Sequence, residues 1–327
     1  MRPVLEQAAA PAWRRLRRLK NRALNRIDAP LVVLAYHRVA RLPSDPHRLA
    51  VAPENFRAQM RYLRDHCRCL RLEAAAAPRR GPAVAVTFDD GYADNLREAL
   101  PILEETGIPA TFFICTGQLD CRGEFWSDEL EQLVLGAGER PTAFPLDDPE
   151  HGGVWPSAGD VARRALHDRL HRAMLTLAPA RREDWLDQLR HWAGTGAAGR
   201  ETHRALTRDE LRALAASPLA TIGAHGVTHT PLALLSAAEQ QQELADSRRE
   251  LETLLGREVR LFAYPFGGRG QFDATTHRLC REAGFRLAAT TFPGQVHRWT
   301  DPLQLPRQLV RDWDAAEFAA RMKGFWA

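Results

Sequence analysis

Apolar residues in this chain follow two rhythms, short continuous runs and stripes at helical spacing, and the two alternate. The runs fall at residues 31–37, 83–89, 109–115, 220–225, 261–264, 286–292 and 305–310. Runs this short, without polar alternation, predict strands buried on both faces. Between them, residues 53–67 place Phe56, Met60 and Leu63 on one helical face. Residues 93–106 and 236–255 read as helices stopped by Gly107 and Gly256, with two more at 274–283 and around 315–323. Strands alternating with helices predict a parallel sheet, here curled into a barrel.

From about 120 to 217 the rhythm changes. Helical stripes centred on 127–135, 159–177, 182–192 and 207–216 are joined by breaks rich in Gly and Pro, notably Asp147-Asp148-Pro149, Gly152-Gly153 and 194–199. This stretch is read as a helical insertion into a barrel domain spanning 29–327, with residues 1–28 as a separate N-terminal helix.

Composition narrows the picture modestly. A chain of 327 residues suits one α/β barrel with an insertion, and 45% hydrophobic with 26% charged residues excludes general disorder. The five cysteines are scattered without a CxxC pair, which points to a reducing compartment rather than a disulfide framework. Arg and Lys interrupt every apolar stretch of residues 13–26, so no secretory signal is read there, and the chain is expected in the cytoplasm. That segment carries seven Arg/Lys and no acid, with Trp13, Leu16, Leu19 and Ala23 at helical spacing. Such a basic amphipathic helix either rests on anionic headgroups at the inner membrane face or packs, solvated, on its own domain. Nucleic acid is not expected, because no stacking platform or zinc finger accompanies the charge.

Two constellations carry chemistry. Thr87-Phe88-Asp89-Asp90-Gly91-Tyr92 ends an apolar strand, at the sheet edge where α/β proteins place their sites. Adjacent buried carboxylates repel, and a divalent cation relieves one while freeing the other to act as a base. The plainer alternative is a loop whose Asp caps a helix. His225-Gly226-Val227-Thr228-His229 follows another strand and should lie on the same edge. Two imidazoles and one carboxylate leave coordination positions open for water and substrate, as a catalytic metal requires.

These residues carry a resemblance. Thr87–Tyr92 and His225–His229 resemble the first two motifs of the polysaccharide deacetylases, carbohydrate esterase family 4. The resemblance runs from about 31 to 310, leaving out much of the insertion. It implies a distorted (β/α)7 barrel and a hydrolase that removes an N-acyl group from an amino sugar in a glycan, glycolipid or activated-sugar precursor. It also implies Asp89 as base, with Asp90, His225 and His229 holding zinc, or else cobalt, nickel or iron. Phe262-Ala263-Tyr264-Pro265-Phe266-Gly267 is similar to the family's groove-lining segment, which makes the Phe266 amide the oxyanion donor. Ala263 stands where the family has the arginine that orients the base. Leu34-Ala35-Tyr36-His37 resembles the permuted poly-N-acetylglucosamine deacetylase branch, in which the histidine-bearing strand has moved to the front. His37 is therefore the expected general acid, with His297 as fallback.

Tyr92, Trp126, Tyr264 and Pro265 are the candidates for substrate contact, although Trp126 reads equally as a core residue before a helix cap at Ser127. Arg307 is a candidate salt-bridge partner for a site carboxylate. Two other functions stay open: an O-acetyl esterase using the same chemistry, and a non-catalytic glycan-binding module.

Overall fold

The computed structural model describes residues 21, 23–195 and 199–326. Most of the basic segment 13–26 lies outside the described residues, and of it residues 23–26 are helical.

All seven expected strands form: β1 (Leu31–Tyr36), β2 (Ala83–Phe88), β3 (Ala110–Ile114), β4 (Ala220–Ala224), β5 (Leu261–Ala263), β6 (Leu287–Ala289) and β7 (Gln308–Leu309). They make one parallel sheet in the order β6-β5-β4-β3-β2-β1-β7. The extended stretch around β7 touches both edges. Leu309 pairs with Ala35 of β1, while Leu305 bridges Ala289 of β6 through bonds of 2.8 and 2.9 Å. The sheet thereby curls into a distorted (β/α)7 barrel whose first and last strands are neighbours.

Side-chain parity explains why the strands are apolar throughout. Leu31, Val33, Ala83, Ala85, Phe113, Leu261, Ala263, Leu287 and Ala289 form one cluster, the barrel interior. The alternate residues, Val32, Leu34, Tyr36, Val84, Val86, Phe88 and Phe112, join the layer that packs on the helices. Successive strand residues face opposite sides, so a barrel strand covered by helices needs apolar residues at every position. Phe113 fills the interior because Gly223 lies opposite: a Cβ there would sit 2.6 Å from the Phe113 ring.

The helices, beginning with α1 (Pro53–His66), follow the expected stripes with one local change. Residues 93–106 open as a π turn at Asn95–Ala99 before helix α2 (Leu100–Thr106) begins. Pro101 has no N–H to give the preceding turn, which favours this wider start.

The insertion builds its own core. Trp126, Leu130, Phe144, Leu166, Leu170, Trp185, Leu189 and Trp192 cluster apart from the barrel. They come from helices α3 (Trp126–Leu135), α4 (Gly159–Met174) and α5 (Pro179–Ala193) and from an antiparallel hairpin, Ala143–Leu146 with Gly153–Pro156. The Asp- and Gly-rich stretch read as a loop is the turn of that hairpin. Helix α6 (Arg208–Ala216), expected within the insertion, packs on the barrel layer through Leu211 and Leu214.

Candidate active site

Parity also points Asp89 inward. It follows Thr87 on the interior face of β2, and its N–H is held by the Tyr36 carbonyl at 3.0 Å. The chain then turns sharply: Asp90 has φ 73° and Gly91 φ 82°. Here the left-handed backbone is needed, and a side chain on Gly91 would press on Ile114. Asp90, a non-glycine residue in this region, is strained, and such strain concentrates at functional sites.

The turn aims Asp90 at the end of β4. Its Oδ1 lies 3.3 Å from His225 Nε2 and 3.2 Å from His229 Nε2. These residues form the one group among the described residues whose His, Cys, Asp or Glu ligand atoms, three or more, all lie within 4.8 Å of one another. All three are buried. His225 Nδ1 donates to the Ala263 carbonyl at 2.7 Å, so in the neutral ring Nε2 presents a lone pair to Asp90. Asp90 Oδ1 is itself buried without a hydrogen-bond partner. A lone pair facing an anionic oxygen is repulsive unless a cation lies between them, so this donor set fits a divalent metal. Were the imidazoles protonated instead, they would hold the Asp90 carboxyl well below the usual range against the upward push of burial.

Asp89 is managed differently. Arg307 grips it with two parallel bonds, Nη1 to Oδ1 at 2.7 Å and Nη2 to Oδ2 at 2.6 Å. The guanidinium is itself fixed by the Thr290 carbonyl at 2.9 Å and Thr87 Oγ1 at 3.1 Å, and is 1% exposed. Burial raises the Asp89 carboxyl most, but Arg307, together with His225 and His37, brings the net shift downward. The salt bridge to a site carboxylate for which Arg307 was a candidate forms with Asp89, and it supplies from the closing segment of the barrel the orientation that Ala263 cannot give.

His37 lies beside this pair. The register sets Tyr36 against Phe88, so the next residues, His37 and Asp89, are neighbours, with His37 Nε2 3.9 Å from Asp89 Oδ2. Asn95, from the π turn, holds the His37 carbonyl at 2.9 Å. Burial lowers the His37 pKa against the pull of the two carboxylates. His297 is at the other end of the barrel. Val296 bridges Leu31 at the start of β1, and the His297 ring stacks on Trp299 near Asp28. A six-residue strand at roughly 3.3 Å per residue separates it from the carboxylates, so His297 is no candidate for the acid.

The remaining candidates divide. Phe266, at φ 61°, packs its ring 4.7 Å from His229, and no hydrogen bond among the described residues engages its N–H. Pro265 is buried beneath it against the Gly226 turn. Tyr264 belongs to the core: its hydroxyl is bound to the Leu303 carbonyl and its ring is stacked on Phe272 at 4.2 Å. Trp126 is 8% exposed, between His171 and Arg182 in the insertion core, with Phe266 6.2 Å away. Both are corrected from substrate contact to packing. Tyr92 is buried as well, with its hydroxyl donating to Asp128 at 2.7 Å and Arg38 over its ring. Phe125, edge-on to His229 at 5.2 Å, was not singled out from the sequence, where it reads as an ordinary apolar residue before a helix.

The sequence model of the polysaccharide deacetylase family matches residues 76–135 and 188–288. These segments carry Asp89, Asp90, His225, His229 and Phe266, and skip the middle of the insertion. His37 and Arg307 lie outside them. YxkH of Bacillus subtilis (strain 168) is 21% identical over 278 residues, 83% of this chain and 67% of that protein. Among solved structures, IcaB from Ammonifex degensii is 23% identical with a TM-score of 0.58, covering 91% of this chain and 98% of that one. The Streptococcus pyogenes deacetylase PplD, in complex with acetate, is 18% identical at 0.58, covering 90% and 99%. At these identities the likeness to solved structures is one of fold.

Proposed function

The chain belongs to the polysaccharide deacetylase family, and from that premise we propose that it is a metal-dependent hydrolase releasing an N-acyl group, foremost acetyl, from an amino sugar. The observation that carries this reading is the convergence of His225 and His229 Nε2 on one orphaned Asp90 oxygen, beside a second carboxylate clamped by a buried arginine.

Asp90, His225 and His229 would hold the ion. When bound, a divalent cation such as zinc supplies Lewis acidity toward the amide carbonyl and lowers the pKa of water from about 16 towards about 7. The chain's own residues do the rest. Asp89, kept ionised and fixed in orientation by Arg307, takes the proton of the attacking water. The free Phe266 N–H, carried on a strained backbone at the barrel mouth, is the donor assigned to the developing oxyanion. The proton taken up by Asp89 passes to His37, 3.9 Å away, and the imidazolium so formed gives it to the departing amine as the C–N bond breaks. The largely buried ring of His37, neutral at rest, suits a shuttle that is charged only during turnover.

We propose further that the substrate is a glycan, a glycolipid or an activated-sugar precursor met at the inner membrane face. The seven basic residues of segment 13–26 support this. So do Ile27 and Trp299, both exposed at the barrel end where the Arg298 N–H binds Asp28.

The test pairs metal content with amine release from N-acetylated and N-formylated amino sugars, for the wild type and Asp89→Asn. About one metal per chain is expected, retained in the variant while turnover is lost. No metal and no turnover after zinc or cobalt addition would overturn the reading. Faster release from acetyl esters than from amides would instead make the chain an O-acetyl esterase.

A further inference from the structure

The loop that carries both histidines is held from one side by a carboxylate outside the catalytic set. Glu243 sits in the second turn of helix α7 (Ala237–Leu255) and is buried. Its Oε2 accepts the Val227 N–H at 2.6 Å and the Thr228 N–H at 3.1 Å. Its Oε1 accepts the Thr228 hydroxyl at 2.7 Å. On the other side, the loop carbonyls are taken by β3's end: Gly226 by the Thr116 N–H at 3.1 Å, and Val227 by the Gly117 N–H and the Cys115 thiol, each at 3.0 Å.

This clamp opposes a real strain. Gly226 has φ 76° and His229 φ 53°, and a non-glycine residue held there costs on the order of 1–3 kcal/mol. Relaxing His229 toward ordinary backbone would swing its ring away from Asp90. Two features tie Glu243 closely to this geometry. A Cβ on Gly226 would come within 2.9 Å of Glu243 Oε2, so the loop can approach the carboxylate only because residue 226 is glycine. Without the carboxylate, the Val227 and Thr228 N–H groups would lose their shared acceptor, and the Thr228 hydroxyl would keep only Thr230 Oγ1 at 2.9 Å, which makes the present loop conformation less favourable.

We propose that Glu243 is a positioning residue for the metal: it fixes the Gly226–His229 turn so that both imidazoles meet Asp90, and thereby sets the affinity of the site. This rests on the metal-dependent reading given above. Glu243 touches neither the reacting atoms nor the ligand nitrogens. It acts through the backbone between the two histidines.

Zinc dissociation constants from competition with a chromophoric chelator, and the visible spectrum of the cobalt-loaded protein, test this on full-length wild type, Glu243→Gln and Glu243→Ala. Unfolding midpoints show that each variant is folded. Removing a group that orients metal ligands typically weakens metal binding about 10–100-fold. Glu243→Ala is expected in that range, with a changed cobalt spectrum. Glu243→Gln keeps one acceptor oxygen for the amides and should lose only a few-fold, a partial rescue. Should Glu243→Ala fail to fold, Glu243→Gln decides by itself. Folded variants with wild-type zinc affinity and an unchanged cobalt spectrum would reduce Glu243 to a structural residue. A wild type that binds neither ion would instead sink the metal-dependent reading.

Discussion

Arg307 and Asp89 make a bidentate pair inside the barrel mouth, and much of the expected chemistry depends on it. Because Arg307 is the foremost of the groups that lower the Asp89 carboxyl against burial, replacing it should raise that pKa. The base would then be protonated at higher pH, so the acid limb of the kcat/KM profile should move upward. Arg307→Met should also reduce kcat by about 10²-fold or more, the usual contribution of a positioned base. Metal content should be unchanged, since Arg307 touches no ligand atom; pH–rate profiles and metal analysis check both points. Asp128 offers a second titration. Burial pushes its carboxyl up to about 7, against the pull of Arg38. Its unfolded value is about 3.9, so between about pH 4 and 7 the folded chain keeps a proton that the unfolded chain has released. Stability from this group is therefore present at low pH and falls as pH rises through that window. Asp128→Asn should be more stable than wild type at pH 8, by on the order of 2–4 kcal/mol at 1.36 kcal/mol per unit, with the gap closing near pH 4. Denaturant titrations at the two pH values measure it.

The insertion meets the site through one aromatic chain: His171 against Trp126, Trp126 against Phe266, and Phe266 against His229. Trp126→Ala should cost about 3–5 kcal/mol of stability as a cavity in the insertion core. Because Phe266 loses its support, the turn carrying the expected oxyanion donor should loosen, and kcat should fall more than metal affinity. Denaturation combined with steady-state kinetics separates the two effects. At this scale the sequence was legible wherever an element's own period decided it. The buried strands and striped helices needed no knowledge of their partners. The hairpin Ala143–Leu146 with Gly153–Pro156 was not legible, because its strands are short, broken by proline and half exposed, so no alternation marks them. Helix α6 carries an ordinary stripe, and only tertiary packing shows that it belongs to the barrel.

For the whole molecule, closure by the segment around β7 brings the first and last barrel strands together. Arg307 and His37, 270 positions apart in numbering, thereby stand on either side of Asp89. The opposite barrel end carries Ile27, which directly follows the basic segment in sequence, and Trp299 in the open. No described helix is long and apolar enough to cross a membrane. Deleting residues 1–28 should abolish flotation with anionic liposomes while leaving turnover of a soluble substrate intact. Binding equal with and without the segment, or none in the intact protein, would remove the membrane proposal.

By itself the sequence determined the parallel barrel and that Asp89, Asp90, His225 and His229 come together at one edge of it. Strand periodicity is local, and a motif that ends a strand is carried to the strand's edge whatever surrounds it. The tertiary structure decided how those residues are held, including which carboxylate the candidate Arg307 takes. Arg307 reaches Asp89 from 218 residues away, Glu243 grips the histidine loop from a neighbouring helix, and Tyr264 and Trp126 turn into cores. Hydrogen-bond partners between elements depend on side-chain reach across a packed interface, and neither spacing nor hydropathy along one chain encodes that reach.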